Sequence, residues 1–479
     1  MPEFHAEPYV HLAGLSHKSA LITWGAFYFQ TRTRPPASAG SPQRTPALWG
    51  AKLVDDRDLR HVHPPRRESI GARSDPYGPA RVNVYDTTGK LAATSFTETT
   101  NFCWIAGLAS DTRYRYEVIV KDETWAEGER WDWTPGDAQG LVQRGGRYVN
   151  EFRTHPDPAA EPAGPFTFMV LGDYGTGIRK STAKRRQREV AGAMQRAFDQ
   201  HDVRLILTAG DNIYAGTRIL GLPVGAQGDE DDDWFFTFFQ PYRYMINRVP
   251  VYPCIGNHDT DESEDRDDRE QLLDNMYLRE RIASDEASGR ASLDPGLFYR
   301  FRYGRDVEFI CLDTSKEGFF RGKRLFEYPK HWEWIEQTFE PAPGVRWRLP
   351  FCHHPPFCAG PRHHNTDRME RLVRLFARGG VRAVFSGHEH NFQHSSHEGI
   401  DYFVTGAGSK VRKGAPDDLA GAHTLSWADD AHFLLVTIAG DTMTVRAIGE
   451  LIDGEVGDLP RVTADGRNVA GPISVRRTV

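Results

Sequence analysis

Four times along this chain a short apolar run stops at a glycine that is followed at once by a carboxylate, an amide or an imidazole. Phe166 to Leu171, Val203 to Ala209, Val251 to Ile255 and Val381 to Ser386 are the runs. They lead into Gly172-Asp173-Tyr174-Gly175, Gly210-Asp211-Asn212-Ile213-Tyr214, Gly256-Asn257-His258-Asp259 and Gly387-His388-Glu389-His390. A fifth run, Arg346 to Cys352, is only partly apolar and leads into His353-His354-Pro355-Pro356. Short apolar runs bounded by Gly or Pro read as buried strands of an α/β sheet. Polar residues set where such strands end collect at one rim of the sheet, where α/β proteins place their ligands.

Seven residues of these motifs, Asp173, Asp211, Tyr214, Asn257, His353, His388 and His390, form the ligand set of a two-metal hydrolytic site and point to phosphoester hydrolysis. One motif alone would carry little, because an Asp after a strand often caps a helix or shapes a turn. Five in order are hard to assign to chance. A bridging carboxylate is needed to hold two cations about 3.5–4 Å apart, where both the attacking and the leaving oxygen of a phosphoryl transfer are stabilised. Asp211 is the expected bridge, while His353 and His354 compete for one ligand position.

The first ~155 residues read differently. Ser19 to Trp24, Arg81 to Tyr85 and Arg113 to Val120 alternate as strands of an all-β sandwich. Leu108, Thr112 and Tyr114, followed by Tyr116 and Val118, resemble the corner and following strand of fibronectin type III domains. Two Pro-, Gly- and Arg-rich insertions, Gln30 to Ala80 and Asp122 to Tyr148, read either as a lid over the site or as surface excursions. His155 to Pro165 is a stiff linker that puts the domain boundary there.

Beyond the linker, helix-like runs at Thr182 to Gln200, Trp234 to Asn247, Lys330 to Phe339 and Thr366 to Arg378 alternate with the strands, which predicts a layered α/β domain over 165–450. Tyr402 to Thr405, Phe433 to Ile438 and Met443 to Ile448 lack intervening helices and are expected to pair as an antiparallel meander in a second sheet. The predicted class is therefore α/β: an N-terminal all-β sandwich over 1–155, then a two-sheet αββα domain, then an unpatterned tail at 451–479. The acidic runs Asp229 to Asp233 and Asp259 to Glu270 read as solvated loops without calcium-loop spacing.

Composition excludes some roles. A formal charge of -7 lacks the basic footprint of a backbone-binding nucleic-acid partner. No run approaches the ~18 apolar residues of a membrane span, and Met1 to Val10 has neither the basic start nor the apolar core of a signal peptide. As written the chain reads as cytoplasmic, or as secreted or periplasmic where a leader has been removed. The five cysteines show no C-x-x-C spacing and read as reduced core thiols.

The five motifs together resemble the purple acid phosphatases of the calcineurin-like metallophosphoesterase superfamily, matching their D-x-G, G-D-x-x-Y, G-N-H-D/E, H-x-P and G-H-x-H pattern. Thr405 to Gly408 also matches. The resemblance implies Fe(III) held by Asp173, Asp211, Tyr214 and His390, and a divalent Fe, Zn or Mn held by Asp211, Asn257, His353 and His388, with His354 in support. It implies that His258 contacts phosphate or protonates the leaving oxygen, and that His363 or His364 adds a substrate-binding imidazole. The expected reaction is hydrolysis of a phosphorylated small molecule by attack of metal-bound hydroxide on a phosphate monoester. Tyr214 separates this reading from its nearest rival, a di-manganese or mixed-metal phosphodiesterase acting on nucleotide or phospholipid diesters. A non-enzymatic interaction protein is the distant alternative.

Overall fold

The computed structural model describes residues 3–31, 52–53, 78–125, 128–133, 141–160, 162–178, 182–214, 217–219, 222–224, 234–259, 268–281, 297–314, 329–365, 367–450 and 456–476. The Gln30 to Ala80 insertion lies largely, and the Asp229 to Asp233 run wholly, outside them, whereas most of the Asp122 to Tyr148 insertion is described and pairs Gly128–Trp133 antiparallel with Leu141–Tyr148. The chain divides into two compact units, 1–155 with 177–181 and 230–250, and 156–176 with 182–229 and 251–479.

In the first unit, Glu3–Leu15 and Ser19–Thr31 pair antiparallel, and Phe102–Ala106 adds to the latter. A second sheet runs Glu151–Arg153, Arg113–Val120, Ala80–Tyr85, Leu91–Thr97. Strict alternation in Arg113–Val120 sends Tyr114, Tyr116, Val118 and Val120 inward, where they meet Ile22, Trp24, Val82 and Val84. Tyr114 Oη accepts the Ala109 N–H at 2.9 Å and so pins the corner before its own strand. Residues 230–250 fall, in sequence, inside the stretch expected as the catalytic domain, yet they pack here. Phe239 meets Tyr9 at 4.1 Å between ring centroids, and the Tyr116 hydroxyl donates to Asn247 O at 2.6 Å.

The second unit is a mixed α/β fold built on two large sheets. One holds parallel Val251–Pro253, Val203–Thr208 and Phe166–Leu171, then antiparallel Phe433–Ala439 and Thr442–Glu450. The other holds antiparallel Tyr299–Tyr303, then parallel Val307–Leu312, Trp347–Cys352, Ala383–Ser386 and Ile400–Thr405, followed by Phe392–His397 and Thr424–Ala428. The expected meander is therefore split. Phe433–Ala439 and Thr442–Glu450 do form a hairpin, but Ile400–Thr405 pairs parallel with Ala383–Ser386 in the other sheet. It is buried along most of its length, so its apolar pattern did not distinguish the two sheets.

The pleat distributes side chains between layers. Phe309 and Cys311 face the core between the sheets, with Phe168, Leu207, Leu434 and Phe385, while Ile310 and Leu312 face the helices Pro329–Thr338 and Asp367–Arg378. Met369, Leu372, Leu375 and Phe376 recur at helical spacing and form the face that covers this side. On the opposite outer face, Gln187–Gln200 packs against Thr442–Glu450.

Where the sequence shows no pattern after Glu450, the structure has strands. Val456–Asp458 and Ile473–Arg476 add to the first sheet, Arg461–Thr463 and Asn468–Val469 to the second. All five cysteines are buried and free, so no disulfide joins Cys352 and Cys358. No helix among the described residues is long and apolar enough to cross a membrane.

Candidate functional site

Asp173, Asp211, Asn257, His353 and His388 each sit one to four residues beyond the carboxyl end of a parallel strand. The strands converge because their connecting loops are pressed together backbone to backbone. Gly210 takes φ +83°, and a Cβ there would lie 2.5 Å from His353 Nδ1. A Cβ on Gly256 would lie 2.2 Å from the Asp211 nitrogen. Only glycine fits at either position. Asp173, Asp211 and His388 are themselves left-handed, at φ 54°, 51° and 71°. Non-glycine residues bear that conformation where the surroundings enforce it, commonly at functional sites.

Two groups of donor atoms result. In the first, Tyr214 Oη lies 3.0 Å from Asp173 Oδ1 and 3.4 Å from His390 Nε2, and His390 Nε2 lies 3.3 Å from Asp173 Oδ1. In the second, Asn257 Oδ1 lies 2.9 Å from His353 Nε2 and 3.1 Å from His388 Nδ1, which are 3.2 Å apart. Asp211 Oδ1 approaches His353 Nε2 at 3.4 Å, and Asp211 also shares a cluster with Asp173 and His390. The structure thus brings all seven expected ligands together, with Asp211 between the groups.

The donor chemistry fits cations. His353 Nδ1 faces Ala209 O at 2.8 Å, which fixes its proton there and leaves Nε2 with a lone pair. That lone pair, the Asn257 carbonyl and the Asp211 carboxylate are all acceptors aimed at one region, and a positive charge is what reconciles them. Burial, then the neighbouring His354 and His353, hold the His388 imidazole well below its usual range; burial, then Lys410, does the same for His390. Neutral imidazoles are the form a metal binds. Burial and then Asp173 hold the Tyr214 phenol well above its usual range, so a phenolate there requires a strongly charged cation.

Backbone donors hold the carboxylates in place: His388 N–H bonds Asp173 Oδ2 at 2.8 Å, and His258 N–H bonds Asp211 Oδ1 at 2.9 Å. The His258 ring stands 4.6 Å from the Tyr214 ring, partly exposed, and burial lowers it to about 4. His354 is buried, bonded to Thr314 through Nδ1 (3.1 Å), and one of its ring nitrogens lies within 4.8 Å of one each on His353 and His388. His363 stacks on His388 at 3.9 Å and its Nδ1 lies 3.1 Å from Glu389. His364 is not drawn into the cluster: it is half-exposed and bonds Asp417 at 2.7 Å.

Several residues escaped the sequence reading. Asp259, grouped there with a solvated acidic run, is fully buried and accepts from the backbones of Asn212, Ile213 and Gly256 and from the Asn212 amide. Its place inside the Gly256 to Asp259 motif was the signal. Glu389, the variable position of the fifth motif, is buried; the His363 ring, then Arg412 and the His363 backbone N–H, outweigh that burial and hold it at about 2. Lys410 lies with its ammonium 3.4 Å from the centroid of the Tyr214 ring, and nothing in the sequence marks it. Gly406 and Gly408 approach the Glu389 and Gly172 carbonyls, as backbone-approach positions.

Residues 166–392 match the family model described as calcineurin-like phosphoesterase. Purple acid phosphatase 4 of Arabidopsis thaliana is 25% identical over 281 residues, covering 54% of this chain and 75% of that protein. The structure of purple acid phosphatase PPD1 from yellow lupin (Lupinus luteus) seeds superposes with a TM-score of 0.56 at 12% identity, covering 95% of this chain and 74% of that one. The structure of PhoD gives 0.57 at 12% identity, covering 100% and 94%. At that identity the two structures speak to the fold.

Proposed function

From the premise that residues 166–392 form a calcineurin-like phosphoesterase domain similar to the purple acid phosphatases, we propose that this chain hydrolyses phosphate monoesters at a binuclear metal centre. The observation that carries the reading is the convergence of acceptors on either side of Asp211, with Tyr214 on one side and Asn257 on the other. Asp173, Asp211, Tyr214 and His390 would hold Fe(III), and Asp211, Asn257, His353 and His388 a divalent Fe, Zn or Mn. When bound, the two cations neutralise phosphate charge and lower the pKa of a water. The tyrosine corner made by Tyr114 and Ala109 supports reading the front unit as fibronectin type III-like.

The chain's own groups do the rest. His353 is oriented by Ala209 O, and Asp173 and Asp211 are oriented by backbone N–H groups, so the ligand positions are set before any ion arrives. His258, partly exposed beside Tyr214, is the proton donor to the leaving oxygen, and an anionic substrate next to it favours its charged form. His363, stacked on His388 and held by Glu389, offers an imidazole to the phosphate.

The test is the visible absorption spectrum of the purified, air-oxidised protein. A broad phenolate-to-iron charge-transfer band that disappears in Tyr214→Phe is expected. A fully metallated protein without that band, turning over diesters faster than monoesters, would replace this reading with the phosphodiesterase.

A second measurement addresses His258. Its change to Ala is expected to lower kcat by about 10²-fold on an alkyl phosphate, whose leaving oxygen needs a proton. The loss should be much smaller on p-nitrophenyl phosphate, with metal content retained. Equal losses on both substrates would assign His258 to phosphate contact rather than to proton donation.

A further inference from the structure

Among the described residues, three cations beside the cluster form no direct ion pair. Lys410 donates its N–H to Asp173 O at 3.3 Å and carries its ammonium over the Tyr214 ring at 3.4 Å. Arg185 forms an antiparallel backbone bridge with Lys410, reinforced by the Arg186 N–H bond to Ser409 O at 2.9 Å. Arg362 is exposed, one residue before His363; Lys410 feels burial first, then the attraction of the Asp211 and Asp173 carboxylates expected to bind metal, then the repulsion of Arg185 and Arg362. Among the described residues none of the three has a carboxylate within ion-pair distance.

Their neighbours are different. Arg412 pairs with Glu389, Arg186 with Glu189 and Asp430, and Lys413 with Asp429 and Asp430. In a chain of net charge -7, carboxylates are plentiful, so gathering three cations without one costs free energy that an outside anion recovers. The single phosphate expected at the metal centre has its own partners in the two cations and in His258 and His363. The cluster, with Lys410 over Tyr214 and Arg362 next to His363, therefore has capacity for a second anionic group.

We propose that Lys410, Arg185 and Arg362 form a subsite for a second phosphoryl group of the substrate, so that preferred substrates carry two neighbouring phosphates, as in a nucleoside diphosphate. This rests on the phosphatase reading above. Lys410 is the inner element, fixed over Tyr214, and Arg362 the outer one, free to reach a phosphate that projects from the site. Charge-assisted bonds from ammonium and guanidinium groups to phosphate oxygens supply the recognition.

The experiment measures, by calorimetry on metal-loaded protein, the affinity for imidodiphosphate, a diphosphate that resists hydrolysis, and for orthophosphate. Wild type is expected to bind imidodiphosphate about tenfold or more tightly than orthophosphate, and Lys410→Met and Arg362→Ala are each expected to lose about tenfold for imidodiphosphate but less than about threefold for orthophosphate. Arg362 is exposed, so its variant keeps the test valid even if Lys410→Met perturbs Tyr214. Metal content after titration shows that imidodiphosphate has not stripped the ions. Parallel losses for both ligands, or a wild type that does not favour imidodiphosphate, overturn the proposal. Turnover of p-nitrophenyl phosphate by the same preparations reports on the phosphatase reading separately: protein that hydrolyses it without favouring imidodiphosphate loses only this inference.

Discussion

Asp211→Asn is expected to lower kcat/KM for p-nitrophenyl phosphate by about 10³-fold or more, equivalent to ~4 kcal/mol of barrier. The substitution changes almost nothing in shape. Asn keeps an oxygen for the His258 N–H that now donates to Asp211 Oδ1 at 2.9 Å. It loses the second anionic oxygen, and with it the means of holding two cations about 3.5–4 Å apart. The side chain is 1% exposed, and its carboxyl is held below the usual range: burial opposes this, but His353 and His258 outweigh it. Elemental analysis should find about half the metal or less, while circular dichroism remains that of wild type. Turnover within tenfold of wild type would remove Asp211 from the bridging position and the binuclear reading with it.

The contrast between what the sequence reveals and what it hides has a physical basis. Phe166–Leu171 and Val203–Thr208 are buried at every residue, so their runs are uninterrupted and their ends are marked by glycine. Since the ligands follow those ends, the site was legible wherever the strands were. Phe392–His397 fails the same test. Its sequence, Phe-Gln-His-Ser-Ser-His, is polar, yet its first four residues are buried. Gln393 satisfies itself there by accepting from the Ala359 N–H and donating to Gly360 O, partners more than thirty residues away that no local pattern announces.

The same limit governs the site's supporting residues. Lys410 acquires meaning only from Tyr214, and Glu389 only from Arg412 and His363. His363 and His364 were equivalent in sequence, and the fold separates them by stacking one on His388 and turning the other to Asp417. The helix expected from Thr182 begins instead at Gln187, because Thr182 and Arg185 pair with each other and Arg185 with Lys410, using backbone groups a longer helix would have taken. In each case a contact between distant segments decided what local propensity had left open.

Asp259→Ala should produce the largest loss of stability of any single change near the site without touching a ligand. The carboxylate accepts four N–H groups, from Asn212 N (3.2 Å), Asn212 Nδ2 (2.8 Å), Ile213 N (3.1 Å) and Gly256 N (2.8 Å), and is fully buried. Those donors belong to the second and third motifs, so the one side chain ties the loop bearing Asp211 and Tyr214 to the loop bearing Asn257. Removing it strands buried donors at about 1–3 kcal/mol each, and with partial rescue by water the total should still reach about 3 kcal/mol or more. Denaturant unfolding of the metal-free chain isolates this effect from metal binding. Asp211→Asn should lower that midpoint less than Asp259→Ala while costing about 10³-fold in activity, whereas Asp259→Ala should lower the midpoint further and then lose metal as a consequence. An unshifted midpoint in Asp259→Ala would mean that the two loops are held together by the close packing of Gly256 on Asp211 and by the His258 N–H bond to Asp211. Gly256→Ala would then become the change that separates them.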